Sequence, residues 1–142
     1  MVCTFFGHRD TGDEILPRLK EKIIDLIIYE HVDKFYIGNQ GRFDYMASKV
    51  LDEIKMDYPF IVFSVVLAYM PQKVCEWDEG KYINSEYPEV LANVPRRFAI
   101  DKRNRWMLEH SDFVITHVTR SFGGAAKFKE IAERKNKRVI NI

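Results

Sequence analysis

Residues Ile100–Glu130 read Ile-Asp-Lys-Arg-Asn-Arg-Trp-Met-Leu-Glu-His-Ser-Asp-Phe-Val-Ile-Thr-His-Val-Thr-Arg-Ser-Phe-Gly-Gly-Ala-Ala-Lys-Phe-Lys-Glu, and they divide into a helix, a strand, a glycine turn and a second helix. Ile100 and Met107 mark the buried stripe of the first helix, with Arg103 and Asn104 between them at the i+3 and i+4 positions. A guanidinium and an amide therefore share the face turned towards the protein. A buried charge without a partner is costly, so both need one. Phe113–Val118 follows as an apolar, β-branched run, and Gly123-Gly124 then opens the next helix with backbone N–H groups able to meet an anion. The stretch has the form of half a nucleotide pocket.

The same alternation runs through the rest of the chain. Val2–Phe6 reads as a buried strand closed by Gly7, and a helix reaches about Glu30 on the stripe Leu16, Leu19, Ile23, Ile24 and Ile27. Pro17 belongs to its first turn, because an interior proline breaks the hydrogen-bond ladder. Lys34–Ile37 is a second strand. Phe43, Ala47, Val50, Leu51 and Ile54 stripe a helix to about Tyr58, and Ile61–Ala68 reads as a central strand that is apolar on both faces. Residues Arg96–His110, Gly124–Lys135 and Arg138–Ile142 supply a helix, a helix and a last strand. The expectation is one α/β domain over residues 1–142, a three-layer α/β/α Rossmann-like fold with a mostly parallel sheet of about five strands. Tyr69–Pro95 breaks the pattern. It is rich in aromatics (Tyr69, Trp77, Tyr82, Tyr87) and reads as a long loop or lid.

Composition narrows the function. The 142 residues are 46% hydrophobic and 30% charged, as in an ordinary globular protein. A net charge of +1 argues against nucleic acid as a partner, and the basic cluster Arg96, Arg97, Lys102 reads as a solvated helix face. Cys3 lies in a strand and Cys75 in a loop, without ligand-like spacing, so no metal is expected, nor any cofactor. The longest uncharged run, Pro59 to Gln72, falls short of the roughly 20 apolar residues of a membrane helix, and no signal peptide is expected before the first strand. A cytoplasmic protein with no membrane contact is the expectation.

Ligands of parallel sheets bind beyond the carboxyl ends of the strands, where strand order reverses. Three polar, glycine-bearing loops fall there: Gly7 to Asp10, Gly38 to Arg42, and Thr119 to Gly124. Gly7-His8-Arg9 offers a tight turn, an imidazole and a planar guanidinium fork suited to phosphate. Gly38-Asn39-Gln40-Gly41-Arg42-Phe43-Asp44 has the form of a phosphate or ribose loop entering a helix, without the spacing of either common nucleotide fingerprint. Asp44 there also suits the positive end of the helix dipole.

These three segments, Thr4-Phe5-Phe6-Gly7-His8-Arg9, Gly38 to Asp44, and Arg103-Asn104-Arg105-Trp106-Met107 leading to Gly123-Gly124, carry a resemblance to the SLOG superfamily. That Rossmann-like group includes the cytokinin-activating LOG proteins, the DprA/Smf proteins and the YpsA-like proteins, and small bacterial YpsA-like members look most similar. Against the LOG phosphoribohydrolases, Arg103 falls on the catalytic arginine and Glu130 on the catalytic glutamate, with Gly123 and Gly124 on the paired glycines. Asn104 replaces a lysine, Phe122 a proline, Ala126 a glycine and Lys127 a threonine.

The resemblance implies binding of a nucleotide or nucleotide-derived small molecule at Gly7, His8, Arg9, Gly38, Asn39, Gly41, Asp44, Asn104, Gly123 and Gly124. One alternative is LOG-like hydrolysis of nucleoside monophosphates by Arg103 and Glu130. Another is single-stranded DNA binding as in the DprA proteins. LOG-like relatives are dimers that complete each site from the neighbouring chain, so a homodimer is expected. It would also rescue Glu130, which the Phe128/Ala132 stripe turns away from its own sheet.

Overall fold

The computed structural model describes residues 1–70 and 84–142. Its sheet is built from β1 (Val2–Gly7), β2 (Lys34–Ile37), β3 (Val62–Val66), β4 (Ser85–Glu86), β5 (Phe113–His117) and β6 (Arg138–Asn141). The helices are α1 (Leu16–Tyr29), α2 (Arg42–Asp57), α3 (Arg96–Glu109) and α4 (Gly124–Arg134), with single 3-10 turns at Asp13–Ile15 and Glu89–Leu91. Pro17 lies in the first turn of α1, where its missing N–H costs nothing. Asn136 adopts a left-handed φ of 57° just past α4, and Lys137 N–H returns to the Ala132 carbonyl to close that helix.

All strand pairs are parallel, in the order β4-β3-β2-β1-β5-β6. The chain winds outward from β1 through β2 and β3 to β4, then returns to lay β5 on the other side of β1. Alternation along the strands sends Cys3, Phe5, Phe35, Ile37, Phe113 and Ile115 to one face, under α1 and α2. Phe6, Tyr36, Val66 and Val114 go to the other, where Met107 and Leu108 of α3 and Phe128 and Ala132 of α4 cover them. Burying each such side chain contributes about 1.5–3 kcal/mol, so the two faces form the two halves of the core.

The sheet has six strands rather than five. The extra one, β4, joins β3 through only Ser85 and Glu86, too short a run to show any periodicity. The strand expected to be central, β3, is second from the edge, and Val62 is exposed because β4 covers only the far end of its strand. Within the expected Tyr69–Pro95 loop, residues 84–95 hold β4 and a 3-10 turn, while residues 71–83, with Cys75, Trp77 and Tyr82, lie outside the described residues. Among the described residues no helix is long and apolar enough to cross a membrane, and no cluster of His, Cys, Asp and Glu could hold a metal ion.

Candidate functional site

Strand order reverses between β1 and β5, and the loops leaving these strands frame a cavity of about 300 Å³. Gly7 ends β1 because α2 closes directly on it: a Cβ there would stand 2.1 Å from the buried Phe43 ring. His8 follows, and its buried Nε2 accepts the Thr119 N–H at 3.1 Å, stitching the loop after β1 to the loop after β5. Burial first, and the Arg120 charge second, hold the imidazole below its ordinary pKa. A neutral ring that spends its lone pair on a backbone N–H positions the loops and is no free base. Arg9 is exposed, and its carbonyl accepts the Arg42 N–H as α2 begins.

Gly41 and Gly123, with φ of 98° and 95°, lead into α2 and α4 in backbone conformations that L side chains rarely adopt. Neither helix has a side-chain cap. The first-turn N–H groups of α4 at Gly124 and Ala125 therefore open on the cavity, carrying the positive end of the helix dipole.

Arg103 is 1% exposed, and its partners explain how the fold tolerates it. Nη1 donates to the Val66 carbonyl at 2.8 Å and to Asn39 Oδ1 at 3.2 Å, while Nε donates to Asn104 Oδ1 at 2.8 Å. The guanidinium thus latches α3 to the carboxyl ends of β2 and β3. Asp101 and Asp112 do not serve it. Asp101 pairs with Arg105 at 2.8 Å and Lys127 at 2.5 Å, and Asp112 accepts the Val2 N–H.

Asp44 supplies the facing negative charge, its Oδ2 accepting the Gln40 N–H at 2.9 Å. Gly38 makes room for both groups: a Cβ there would lie 2.6 Å from Asp44 Oδ2 and 3.2 Å from Arg103 Nη2. Burial pushes the Asp44 carboxyl up to about 6, against the opposing pull of the Gln40 N–H and the charges of Arg103 and Arg9. Burial likewise lowers the pKa of Arg103.

The cavity brings together Gly7, His8 and Arg9, Asp44, Arg103 and Asn104, and Gly123 and Gly124. Gly38, Asn39 and Gly41 stand behind it, shaping the backbone and holding Arg103 and Arg9 in place. Glu130 does not line it. The carboxylate is exposed, pairs with Arg134, and borders a separate open depression with Lys129 and Glu133. Within this chain the arginine and the glutamate of the hydrolase pattern are not brought to one cavity.

Sequence reasoning passed over Arg120 and Gln40, which also border the cavity. Arg120 grips the Asp10 carboxylate with both terminal nitrogens, at 3.1 and 3.0 Å. It occupies a strand-end loop, and the rule that singled out Arg9 applies to it equally.

No protein-family model and no curated protein sequence matches the chain. Solved structures of similar shape are DNA processing protein A from Helicobacter pylori (TM-score 0.66) and from Streptococcus pneumoniae (TM-score 0.69), each 16% identical in sequence. They cover 98% and 96% of this chain. The likeness is one of fold, a Rossmann-like α/β domain around a parallel sheet.

The chain spans 63% of the Helicobacter protein and 48% of the Streptococcus protein. The Helicobacter protein is described by its single-stranded DNA binding mode. Two expectations are corrected on this ground: a small nucleotide-derived molecule as the ligand, and the exclusion of nucleic acid as a partner. The exclusion rested on net charge, which averages over the whole chain. Among the described residues, the cavity is bordered by Arg9, Arg103 and Arg120 and by the carboxylate of Asp44.

Proposed function

We propose that the chain binds single-stranded DNA, with a phosphate of the strand seated in the cavity between the β1 and β5 loops. The supporting observation is the set of groups gathered there: three guanidinium groups and the uncapped start of α4 face one site, opposed by Asp44 in its lining and by Asp10, which pairs with Arg120. Arg9 is the exposed member of the set, suited to a phosphate oxygen through its fork. Arg103 and Arg120 are already held by protein acceptors and act through their charge. The likeness to a protein described by its single-stranded DNA binding adds to this reading, and no hydrolytic step is required by it. Exposed Arg96, Arg97 and Lys102 on α3 offer further charge along a bound strand.

Fluorescence anisotropy with a labelled oligothymidylate tests the proposal. Binding in the range of about 10⁻⁴ to 10⁻⁶ M is expected, weakening with salt at a log–log slope of about −2 if three phosphates are neutralised. Arg9→Ala should weaken it several-fold without loss of fold. Absence of binding at low salt, or displacement of the oligonucleotide by an equal phosphate concentration of thymidine monophosphate, would refute the proposal.

A further inference from the structure

Phe122 lies between Arg120 and Gly123, which both line the cavity, and 69% of its own surface is exposed. An exposed phenyl is unremarkable by itself. Its surroundings are specific, however. The Arg120 guanidinium sits 5.3 Å from the ring centroid, and both terminal nitrogens of that arginine are fixed by Asp10. One side of the ring therefore faces a cation that its own ion pair holds in place, while the rest of the ring stays open to solvent.

We propose that Phe122 and Arg120 form a base-binding platform: a nucleobase stacks on the open face of Phe122 while the adjoining phosphate lies in the neighbouring cavity, beside the Arg120 charge. The proposal rests on the single-strand reading and adds what that reading lacks. Phosphate contacts alone do not separate a single strand from a duplex, since both expose their backbones. A duplex hides the faces of its bases in the stack, whereas an unpaired base offers a face to an aromatic ring. Phe122 is thus the specificity-determining residue for an unpaired strand, indifferent to base identity because every base has a π face.

Binding of the full chain to three probes of equal length decides the matter: oligothymidylate, the same backbone with abasic sites, and duplex DNA. Phe122→Ala should weaken oligothymidylate binding by about tenfold, within the roughly 5- to 150-fold range of a lost base stack. It should leave the abasic probe, the duplex and the salt slope unchanged, and Phe122→Trp should restore the wild-type preference. An exposed ring can be removed without harm to the core, so fold loss does not cloud the comparison. Equal affinity of wild type and Phe122→Ala for oligothymidylate overturns the platform and leaves the single-strand reading standing. An equal loss on the abasic probe overturns it too, and failure of the wild type to bind any probe overturns both.

Discussion

Asp44→Asn should make the protein more stable at neutral pH. The Asp44 carboxyl is held at about 6 against 3.8 for a carboxyl without a structured environment, with burial as the main cause. The native state therefore binds this proton more tightly than the unfolded chain does. Its contribution is fully present below the unfolded value and is lost as pH rises through the folded one. The loss amounts to about 3 kcal/mol once the group is ionised on both sides of the equilibrium. Asparagine resembles the protonated acid and keeps an oxygen for the Gln40 N–H, so the variant escapes that loss. Urea unfolding across a pH series should find Asp44→Asn ahead by about 3 kcal/mol near pH 7.5, about half of that near pH 5, and little near pH 4. A variant that is less stable at pH 7.5, or a gap that does not change with pH, would refute the account of Asp44 as a carboxylate ionised at a cost.

The same proton should act on binding: wild type should hold oligothymidylate more tightly at pH 5.5 than at 7.5, and Asp44→Asn should flatten that profile in anisotropy titrations. Gly7→Ala forces a methyl into the Phe43 ring and should cost about 1–3 kcal/mol or more in thermal unfolding. Gly123→Ala strains a φ of 95° and should cost about 1–3 kcal/mol, while Gly124→Ala, whose Cβ meets open space, should leave stability alone and lower oligonucleotide affinity. Arg103→Met keeps most of the side-chain volume but strips the Val66 carbonyl of its donor, and should cost about 1–3 kcal/mol in urea unfolding.

The strands that define the fold were legible because each pairs along four or more residues and is punctuated by a glycine or a polar turn. Lys34–Ile37 lies beside β1 through Lys34, Phe35 and Tyr36, and its limits match the expected ones. Ser85–Glu86 left no trace, since two polar residues hydrogen-bonded to an edge have no period to read. Convergence of the three strand-end loops could be anticipated from topology, and Arg9, Asp44 and Gly124 line one cavity. The partners of Arg103 could not. Its principal acceptor is a main-chain carbonyl at the end of β3, and no side chain in the sequence announces a carbonyl. Nor could a whole-chain charge of +1 reveal three arginines around one crevice, because a net charge says nothing of where the charged groups lie.

One bond sets how that crevice responds to acid. His8 accepts from Thr119 only while its Nε2 is bare, and the depressed pKa keeps it so through neutral pH. Once the ring takes a second proton, Nε2 becomes a donor facing a donor, and the stitch across the two loops turns from attraction to repulsion. Stability from this contact is present above the free imidazole value and is lost as pH falls through the depressed one. Mild acid therefore neutralises the floor of the cavity at Asp44 while it unpicks the seam of its wall at His8. A strand threaded along the cavity would meet two opposed effects of acid, a firmer grip from the neutralised Asp44 and a looser frame from the protonated His8.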